Sequence, residues 1–367
     1  MSLRYSRAVT PIELSRAEVQ SLCEAGATAP SPANLQAWKV TVDGPRFDLW
    51  LDDALSSSFL DIKRYASVFA LGSFAENVAI AARQRGLVPS LERLPYDDVR
   101  APVARFTFSR GAAAEEPLYP HIFTRVTNRK PGDGSVVPDE MIEALRRELQ
   151  ADGHRLTLAT ITGGEAKQRY EHALALAENI RMYDDEMRRQ MFGEVCWGDE
   201  EMARRQVGLP LATLEAPAPV VWFMRLLKRA PWLMKLTPKK AMEKSWIAQL
   251  EPTSHLCCIS VDGKLGPASC FEGGRAVQRL WLRATALGLS VHPWVITPYL
   301  IVRNRDLNGA GLTPEQRAIL DGIEADLRAA TAMAPGDSAL FLCRLFKGPP
   351  PTAQAPRRDW QRFTILA

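Results

Sequence analysis

The sequence predicts an α+β fold in which mixed or antiparallel sheets are surrounded by helices, arranged as two similar halves. Helical and strand patterns alternate along the chain, but they do not form the regular βαβ repeat of a parallel sheet. Each half contains one long helical pattern that ends at glycine followed by leucine, at Gly86 and again at Gly288. The chain has 367 residues, 46% hydrophobic and 24% charged, which is enough for two packed units.

Composition and charge exclude several classes of function. The formal net charge is +4 at pH 7, too small to argue for nucleic-acid binding. The six cysteines form no CxxC pair and no zinc-like spacing with histidine, so we expect buried thiols and a reducing compartment. The N-terminal MSLRYSRAVT lacks an apolar signal core, and no uninterrupted run of about 18 apolar residues is present. We therefore predict a cytoplasmic protein without a membrane span.

The first half begins with a helix and continues through short strands to a long apolar helix. Periodicity predicts these elements in order: a helix at 14–27, strands at 39–43 and 47–51, a helix at 66–86 and a strand at 104–108. Residues 111–117 have the composition of a linker.

The second half repeats this order with longer connections. We predict helices at 139–149, 165–190, 272–287 and 314–330, and strands at 155–159, 256–261, around Trp294, at 298–302 and at 338–345. Residues 197–251 interrupt the repeat with many prolines, four tryptophans and several basic side chains.

A polar loop at residues 29–38, APSPANLQAW, lies between the first helix and the first strand. Loops held on a rigid scaffold often carry binding groups. The hydroxyl of Ser31 and the amides of Asn34 and Gln36 suit a flat ligand rich in carbonyl and ring-nitrogen atoms. An ordinary turn, in which these side chains satisfy nearby backbone groups, is the alternative.

Several common catalytic motifs are missing from the chain. No GxGxxG follows a predicted strand, and there is no GxxxxGK[ST] phosphate loop, HExxH or GxSxG. The five histidines are scattered, and we predict no metal site. An enzyme with this sequence therefore takes its reactivity from an organic cofactor.

Basic and glycine-containing segments suggest where an anionic cofactor would bind. Arg125 and Arg129 are spaced i, i+4 at a predicted helix start and could clamp a phosphate. Arg357 and Arg358 form a second cluster, and the backbone amides at 272–274 could face a ligand. The alternatives are solvated charges, a disordered tail and glycines that only permit close packing.

Together these segments resemble the FMN-dependent nitroreductase family. Residues 29–38 resemble its APSxxNxQPW signature, with Ala37 where proline is usual, and residues 125–129 resemble its opening RSxR motif, with Thr127 in place of serine. Residues 274–289 resemble the family's G-x-A-x-Q-x-L-x-L…A-x-G-L helix, and residues 356–358 its terminal PRR.

The distribution of these motifs resembles the tandem-duplicated, Acg-like subgroup. The APSxxN-type loop lies in the first half, and the arginine motif and PRR lie in the second. The resemblance implies two nitroreductase-like halves, at 1–112 and 113–367, that form a pseudo-dimer within one chain and build one FMN site. The chain would be a monomeric pseudo-dimer or a homodimer.

The resemblance also implies roles for individual residues. Cofactor-binding residues would be Pro30, Ser31, Asn34, Gln36, Arg125, Thr127, Arg129, Glu272, Gly273, Arg357 and Arg358. Of these, Glu272 and Gly273 would place backbone amides near the flavin's reactive nitrogen. NAD(P)H would reduce FMN in a ping-pong cycle, and a small acceptor would then take the electrons without any protein nucleophile.

The insertion at 197–251 leaves the activity open. It could be a lid that places Met224 or Met234 on the ring, a basic amphipathic stretch at 220–236 that touches a membrane or partner, or simple packing. Three functions follow: reduction of a nitroaromatic, quinone or pathway-specific acceptor, FMN sequestration with little turnover, and a biosynthetic dehydrogenase or oxidase.

Overall fold

A computed structural model describes residues 11–56, 58–96 and 100–367. The segment 1–10, on which the prediction of no signal core depends, lies outside this range. The α-helices are α1 (Arg16–Ala27), α2 (Tyr65–Gln84), α3 (Tyr119–Thr124), α4 (Asp139–Leu149), α5 (Gly164–Tyr183), α6 (Asp185–Glu194), α7 (Asp199–Arg205), α8 (Ala218–Arg229), α9 (Lys239–Leu250), α10 (Pro267–Ala286), α11 (Ile296–Asp306) and α12 (Pro314–Thr331). The strands are β1 (Trp38–Asp43), β2 (Arg46–Leu51), β3 (Leu87–Arg93), β4 (Ala104–Arg110), β5 (Leu156–Ile161), β6 (Val195–Cys196), β7 (Leu209–Pro210), β8 (His255–Val261), β9 (Ser290–Pro293), β10 (Ser338–Phe346) and β11 (Thr364–Leu366).

Two sheets repeat the same topology. The first has the order β11-β1-β2-β4-β3 and the second the order β5-β8-β10-β9, so β1, β2, β4 and β3 correspond to β5, β8, β10 and β9. All neighbouring strands within both sets of four are antiparallel. In the first half the long apolar helix α2 connects β2 to β3, and in the second half α10 connects β8 to β9. The α+β class with two tandem copies is therefore confirmed.

The two halves meet through α2 and α10, which approach closely at paired glycines. A Cβ on Gly72 would lie 1.9 Å from the carbonyl oxygen of Phe271, and a Cβ on Gly274 would lie 1.9 Å from that of Phe69. The same sequence offset separates Gly72 from Gly274 and Phe69 from Phe271. The contact therefore has the reciprocal form of a two-fold interface within one chain.

The C-terminal strand crosses from the second half to the first. β11 pairs in parallel with β1, aligning Val40 with Thr364 and Val42 with Leu366. Among the described residues no strand covers the corresponding edge of β5. This pairing places the residues just before β11 next to the loop before β1.

The insertion in the second half is larger than its tryptophan-rich part. A tight turn joins β1 to β2, whereas residues 164–250, the inserted helices α5–α9, join β5 to β8. The predicted lid-like segment 197–251 covers only the later helices of this connection. The half boundaries at 112 and 113 stay a prediction.

Three predicted elements differ from the structure for local reasons. The helix at 165–190 is broken, because the Asp184 side chain accepts hydrogen bonds from the amides of Glu186 and Met187 and starts a new helix. Residues 298–302 are helical, since Pro298 lies in the first turn of α11, where proline is tolerated. α10 begins at Pro267 rather than 272, so Gly273 and Gly274 lie inside the helix.

The strand β3 was not predicted. It contains Pro89, which lacks a donor, and it lies at the edge of its sheet, where proline is tolerated. The only described helical segment apolar and long enough to cross a bilayer is Ile62–Gln84, and its most apolar 18-residue stretch is wholly buried inside the protein.

Candidate functional site

A cavity of about 460 Å³ lies where the two halves and the inserted helices meet. Its wall draws on the loop before β1, the extended segment after α3, the region from β9 to α11, the inserted helices and the segment before β11. This volume is in the range of small-molecule and cofactor sites. Among the described residues no group of three or more His, Cys, Asp or Glu side chains could hold a metal ion.

Three arginines, the arginine cluster (Arg125, Arg129 and Arg357), lie on one wall of this cavity. Arg125 is buried, donates from Nη2 to the carbonyl of Thr28 at 2.8 Å, and has its guanidinium carbon 4.6 Å from the ring centre of Trp281. Its Nε and Nη1 have no hydrogen-bond partner. Buried donors of this kind are rare unless a ligand or water satisfies them.

The remaining two arginines are oriented by protein oxygens. Arg129 donates from Nη1 to the carbonyl of Thr213 at 2.9 Å. Arg357 donates from Nη1 to Oδ1 of Asn34 at 2.6 Å and from Nη2 to the carbonyl of Thr28 at 3.3 Å. These contacts bring the RxTxR segment and the PRR segment to the same place.

The arginine cluster carries positive charge that the described carboxylates offset only in part: the charge of Glu215 acts on Arg129, against the effect of burial on its pKa. No described carboxylate forms an ion pair with Arg125, Arg129 or Arg357. Burial, together with the charge of Arg357, lowers the pKa of Arg125 to about 9. Burial lowers the pKa of Arg129 and of Arg357 to about 10. Buried unpaired charges are costly, so this wall is suited to an anion.

The loop before β1 is strained and tied down. Ala33, Asn34 and Gln36 have φ values of 47°, 55° and 54°, in the left-handed region that non-glycine residues rarely adopt. Asn34 Nδ2 donates to the carbonyls of Gly208 and Pro356 at 3.0 and 3.2 Å. Strain of this kind persists where the surroundings fix the conformation, and it concentrates at functional sites.

The structure brings together most of the predicted site residues and separates the rest. Those that line the cavity are Pro30, Ser31, Asn34, Arg125, Thr127, Arg129 and Arg357. Arg125 and Arg129 do not begin a helix as predicted. They lie in an extended segment after α3, where Thr127 forms a parallel bridge with Val291 of β9.

Gln36 and Arg358 lie behind the loop instead of lining the cavity. Gln36 is fully buried, donates to the carbonyl of Gln206 at 2.9 Å and accepts from the backbone amide of Arg358 at 2.8 Å. The Arg358 side chain donates to the carbonyl of Gln36 at 3.0 Å. These two residues fasten the loop to the inserted helices and to the C-terminal segment.

Glu272 and Gly273 are away from the cavity, because the start of α10 lies farther back than predicted. A Cβ on Gly273 would lie 2.2 Å from Cδ2 of Leu340 in β10, so this glycine permits helix–sheet packing. The Glu272 carboxylate pairs with Arg275 at 3.2 Å. Neither residue lines the cavity, and the contact of their amides with a flavin stays a prediction.

Arg344, His292 and Trp281 were missed by sequence reasoning. Arg344 Nε donates to Nδ1 of His292 at 3.1 Å, and Arg344 Nη2 donates to the carbonyls of Arg129 and Lys130 at 3.3 and 3.1 Å. Burial and the charges of Arg344 and Arg129 hold the pKa of His292 well below its usual value. The sequence signal that could have identified Arg344 is an arginine within the apolar run that forms β10.

The inserted helices supply an apolar part of the cavity. Its side chains include Met182, Met191, Phe192, Val220, Phe223, Met224, Leu227, Met242 and Trp246. Met234, the other predicted lid methionine, is buried among Met182, Phe192 and Leu227. Three carboxyls also line the cavity, those of Asp61, Glu178 and Glu194. Burial raises the pKa of Asp61 to about 6 and that of Glu194 to about 7.

No family model matches the chain. The uncharacterized protein MT1398 of Mycobacterium tuberculosis (strain CDC 1551 / Oshkosh) is 27% identical over 350 residues, 92% of this chain and 47% of that protein. The chain thus spans about half the length of the curated relative it matches.

Nitroreductases are among the solved structures that match. One is the FMN-dependent nitroreductase NfnB from Mycobacterium smegmatis in complex with NADPH, 13% identical, covering 68% of this chain and 98% of that chain with a TM-score of 0.41. Another is a nitroreductase with bound FMN from Desulfitobacterium hafniense DCB-2, 14% identical, covering 69% and 100% with a TM-score of 0.38. The cofactor and the activity of this chain are therefore inferred from its own cavity.

Proposed function

We propose that this chain is an FMN-dependent oxidoreductase of nitroreductase type, reduced by NAD(P)H and acting on a small nitroaromatic, quinone or related acceptor. The observation that carries the proposal is the only partly neutralised arginine cluster beside a hydroxyl- and amide-bearing loop and an apolar chamber. The proposed cofactor needs all three: an anion site, polar partners for a hydroxylated chain, and an apolar place for a ring.

The arginine cluster fits a phosphate group. Arg125 has two unpartnered donors, Nε and Nη1, and the planar guanidinium suits bidentate contact with phosphate oxygens. Arg129 and Arg357 add charge on the same wall. A phosphate dianion would offset the positive charge of these buried arginines. It would also raise their pKa values, which burial lowers.

Ser31 and Thr127 supply the polar groups next to this wall. Both line the cavity, and they come from the two different halves of the chain. The Ser31 hydroxyl accepts from the amide of Gln36 at 3.0 Å, which leaves its proton free to donate to a ribityl hydroxyl. The ring would occupy the region lined by Pro30, His292 and Trp294.

When bound, the flavin supplies hydride acceptance and donation, so the protein needs no nucleophile. The apolar side chains of the inserted helices would surround the ring in this part of the cavity and reduce its contact with water. His292 stays neutral at physiological pH, because its Nδ1 accepts hydrogen bonds from Arg344 and Trp294. Its ring proton is therefore on Nε2.

The test compares FMN with riboflavin, which lacks the phosphate. Arg125→Ala and Arg357→Ala should each weaken FMN binding about 100-fold, the scale for removing one partner of a buried charge pair, while riboflavin binding changes little. Arg147→Ala, on the exposed face of α4, is the control. Equal affinity of the native protein for FMN and riboflavin would contradict the assignment of the arginine cluster to phosphate.

An anaerobic stopped-flow experiment separates turnover from storage. Rapid loss of the visible flavin band on mixing with NADPH or NADH is the expected result. A flavin that dithionite reduces but nicotinamides do not would favour sequestration, or oxidation of a substrate other than NAD(P)H.

A further inference from the structure

The segment 216–242, here called the basic segment, has an unusual charge distribution. It contains Arg225, Lys228, Arg229, Lys235, Lys239 and Lys240, and no aspartate or glutamate. Lys235 and Lys239 lie 3.7 and 3.4 Å from Asp185 and Glu315. Arg225, Arg229 and Lys240 pair with no described carboxylate. The segment therefore presents net positive charge to the exterior.

Large apolar side chains are exposed in the same segment. Trp222, Trp232 and Leu236 are 64%, 61% and 70% exposed. They lie on either side of the turn at Ala230, where α8 ends and a short 3-10 helix begins. Exposed tryptophans beside lysine and arginine are typical of segments that lie at a membrane interface.

α8 separates an inner face from an outer face. Phe223, Met224 and Leu227 line or pack beneath the cavity, and Leu227 is fully buried. Trp222 lies on the opposite face of α8. Arg225 and Arg229, three and seven residues later, lie on the same face, and all three side chains are exposed. The inner face explains the helix's packing. On the outer face Arg225 donates from Nη2 to the carbonyl of Trp197 at 3.4 Å, and no described carboxylate pairs with Arg225 or Arg229.

The cavity reaches this surface. Val220, at the start of α8, lines the cavity and is also 44% exposed. The first turn of α8 therefore borders both the chamber and the exterior. A molecule held at the basic segment lies beside a way into the apolar part of the cavity.

We propose that the basic segment docks the protein onto the surface of an anionic lipid bilayer. The lysines and arginines meet the headgroup charge, and Trp222, Trp232 and Leu236 enter the interfacial region without crossing the membrane. An acidic protein partner would match the charge, but the two tryptophans and Leu236 favour a bilayer. The docking is independent of the proposed flavin chemistry, since it uses none of the arginine cluster.

The test is co-sedimentation of the full chain with large unilamellar vesicles. We use phosphatidylcholine alone or with roughly one third phosphatidylserine, at low and high salt. We expect the partition coefficient to be about tenfold higher or more on the anionic vesicles, and to fall as salt screens the charges. Equal or absent binding to both vesicle types at low salt would overturn the proposal.

Two variants and a matched control identify the surface. Trp222→Ser with Trp232→Ser, and separately Arg225→Glu with Arg229→Glu, should each lower the partition about tenfold or more. Val136→Ser with Arg147→Glu changes an equally exposed apolar and basic pair elsewhere and should leave it unchanged. Circular dichroism verifies the fold of each variant.

The two variants also distinguish a bilayer from another polyanion. Loss of binding in the charge variant with full binding in the tryptophan variant would show that the segment binds polyanions through charge alone, and would contradict insertion of Trp222 and Trp232 into the bilayer interface. Unchanged binding in both variants would remove the basic segment from the docking surface altogether.

Discussion

Arg344 shapes the candidate site without lining it. Its guanidinium donates to the carbonyls of Arg129, Lys130 and Gln249, and to Nδ1 of His292. These bonds tie β10 to the extended segment that carries the arginine cluster, to α9 and to β9. Arg344 is therefore a positioning residue, which sets the backbone from which Arg129 projects and the tautomer of His292.

The buried His292 should make stability depend on pH. Its pKa lies well below the usual value in the folded state, so below about pH 6.5 the unfolded chain takes up a proton that the folded chain does not. We expect His292 to contribute a fall in the free energy of unfolding of about 1.4 kcal/mol per pH unit below this point and no dependence above it. Asp61 and Glu194, whose pKa values burial raises to about 6 and about 7, contribute in the opposite direction, so the contribution of His292 is the difference in slope between the native protein and a His292 variant. Urea unfolding from pH 7.5 to 5.5 measures the slope.

The controls for this prediction are two substitutions. His292→Asn keeps an acceptor for Arg344 and should reduce the slope. His172→Gln, in α5, removes a partly exposed histidine and should have a smaller effect. Equal slopes in the native protein and His292→Asn would show that His292 is not the group responsible.

At this scale the sequence predicted the residues of recognisable motifs. Ser31, Asn34, Arg125 and Arg357 lie together at the cavity, although more than two hundred residues separate the first pair from Arg357. Arg344 was not predicted, because its partners are backbone carbonyls and a histidine that are brought near only by the second sheet. A side chain whose partners come from distant parts of the chain leaves little pattern in the local sequence.

The contact between α2 and α10 depends on reciprocal glycines. Each of Gly72 and Gly274 lies against a carbonyl oxygen of the other helix, so neither position has room for a methyl group. Polar contacts flank the glycines: Asn77 Oδ1 accepts from Nε2 of Gln278 at 2.8 Å, and Glu76 is buried between arginines of α10. Close backbone approach therefore holds the two halves together.

Replacing either glycine with alanine should separate the helices. We expect Gly72→Ala and Gly274→Ala each to lower the free energy of unfolding by about 3 kcal/mol or more, because the new Cβ would overlap backbone atoms that cannot rotate away. Thermal and urea unfolding measure the loss.

Gly322 in α12 is the matched control. Its Cβ would meet no atom within 4 Å, so Gly322→Ala should stabilise the protein by about 0.5–1 kcal/mol through helix propensity. A small effect at Gly72 and Gly274 would contradict the close approach of α2 and α10.

Element type was predicted well where the pattern was long and apolar. The helix α4 was predicted with its observed bounds, and α2 and α12 within two residues. Residues 298–302 were mistaken for a strand, because a short apolar run with a proline does not distinguish a strand from a buried helix. The start of α10 was missed because Gly266 and Ser269 cap the helix farther back than its apolar pattern shows.

The molecule has two similar halves, and the loop that borders the cavity in the first half differs from its counterpart in the second. The loop between α4 and β5, residues 150–155, corresponds to the loop before β1, but it is shorter and has no serine or asparagine. At the end of α4, Glu148 instead accepts from Arg279 at 2.6 Å and Arg283 at 3.0 Å. In the second half, therefore, ion pairs between α4 and α10 lie next to this loop.

One chain should bind one FMN and should need no second chain to do so. Both walls of the cavity come from the same chain, so dilution should not release the flavin, and the ratio of FMN to protein should be one. Light scattering with in-line absorbance measures mass and flavin content together. Two flavins per chain, or loss of flavin when a dimer dissociates, would contradict the single complete site.

The parallel pairing of β1 with β11 constrains how the protein can be made. Val40 of β1 aligns with Thr364 of β11, 324 positions later in the chain, so the outer edge of β1 stays unpaired while the ribosome synthesises everything between them. An unpaired strand edge is a template for association with other chains. We expect the nascent first half to require chaperones, and Arg357 to join Asn34 only after the second half has emerged and folded.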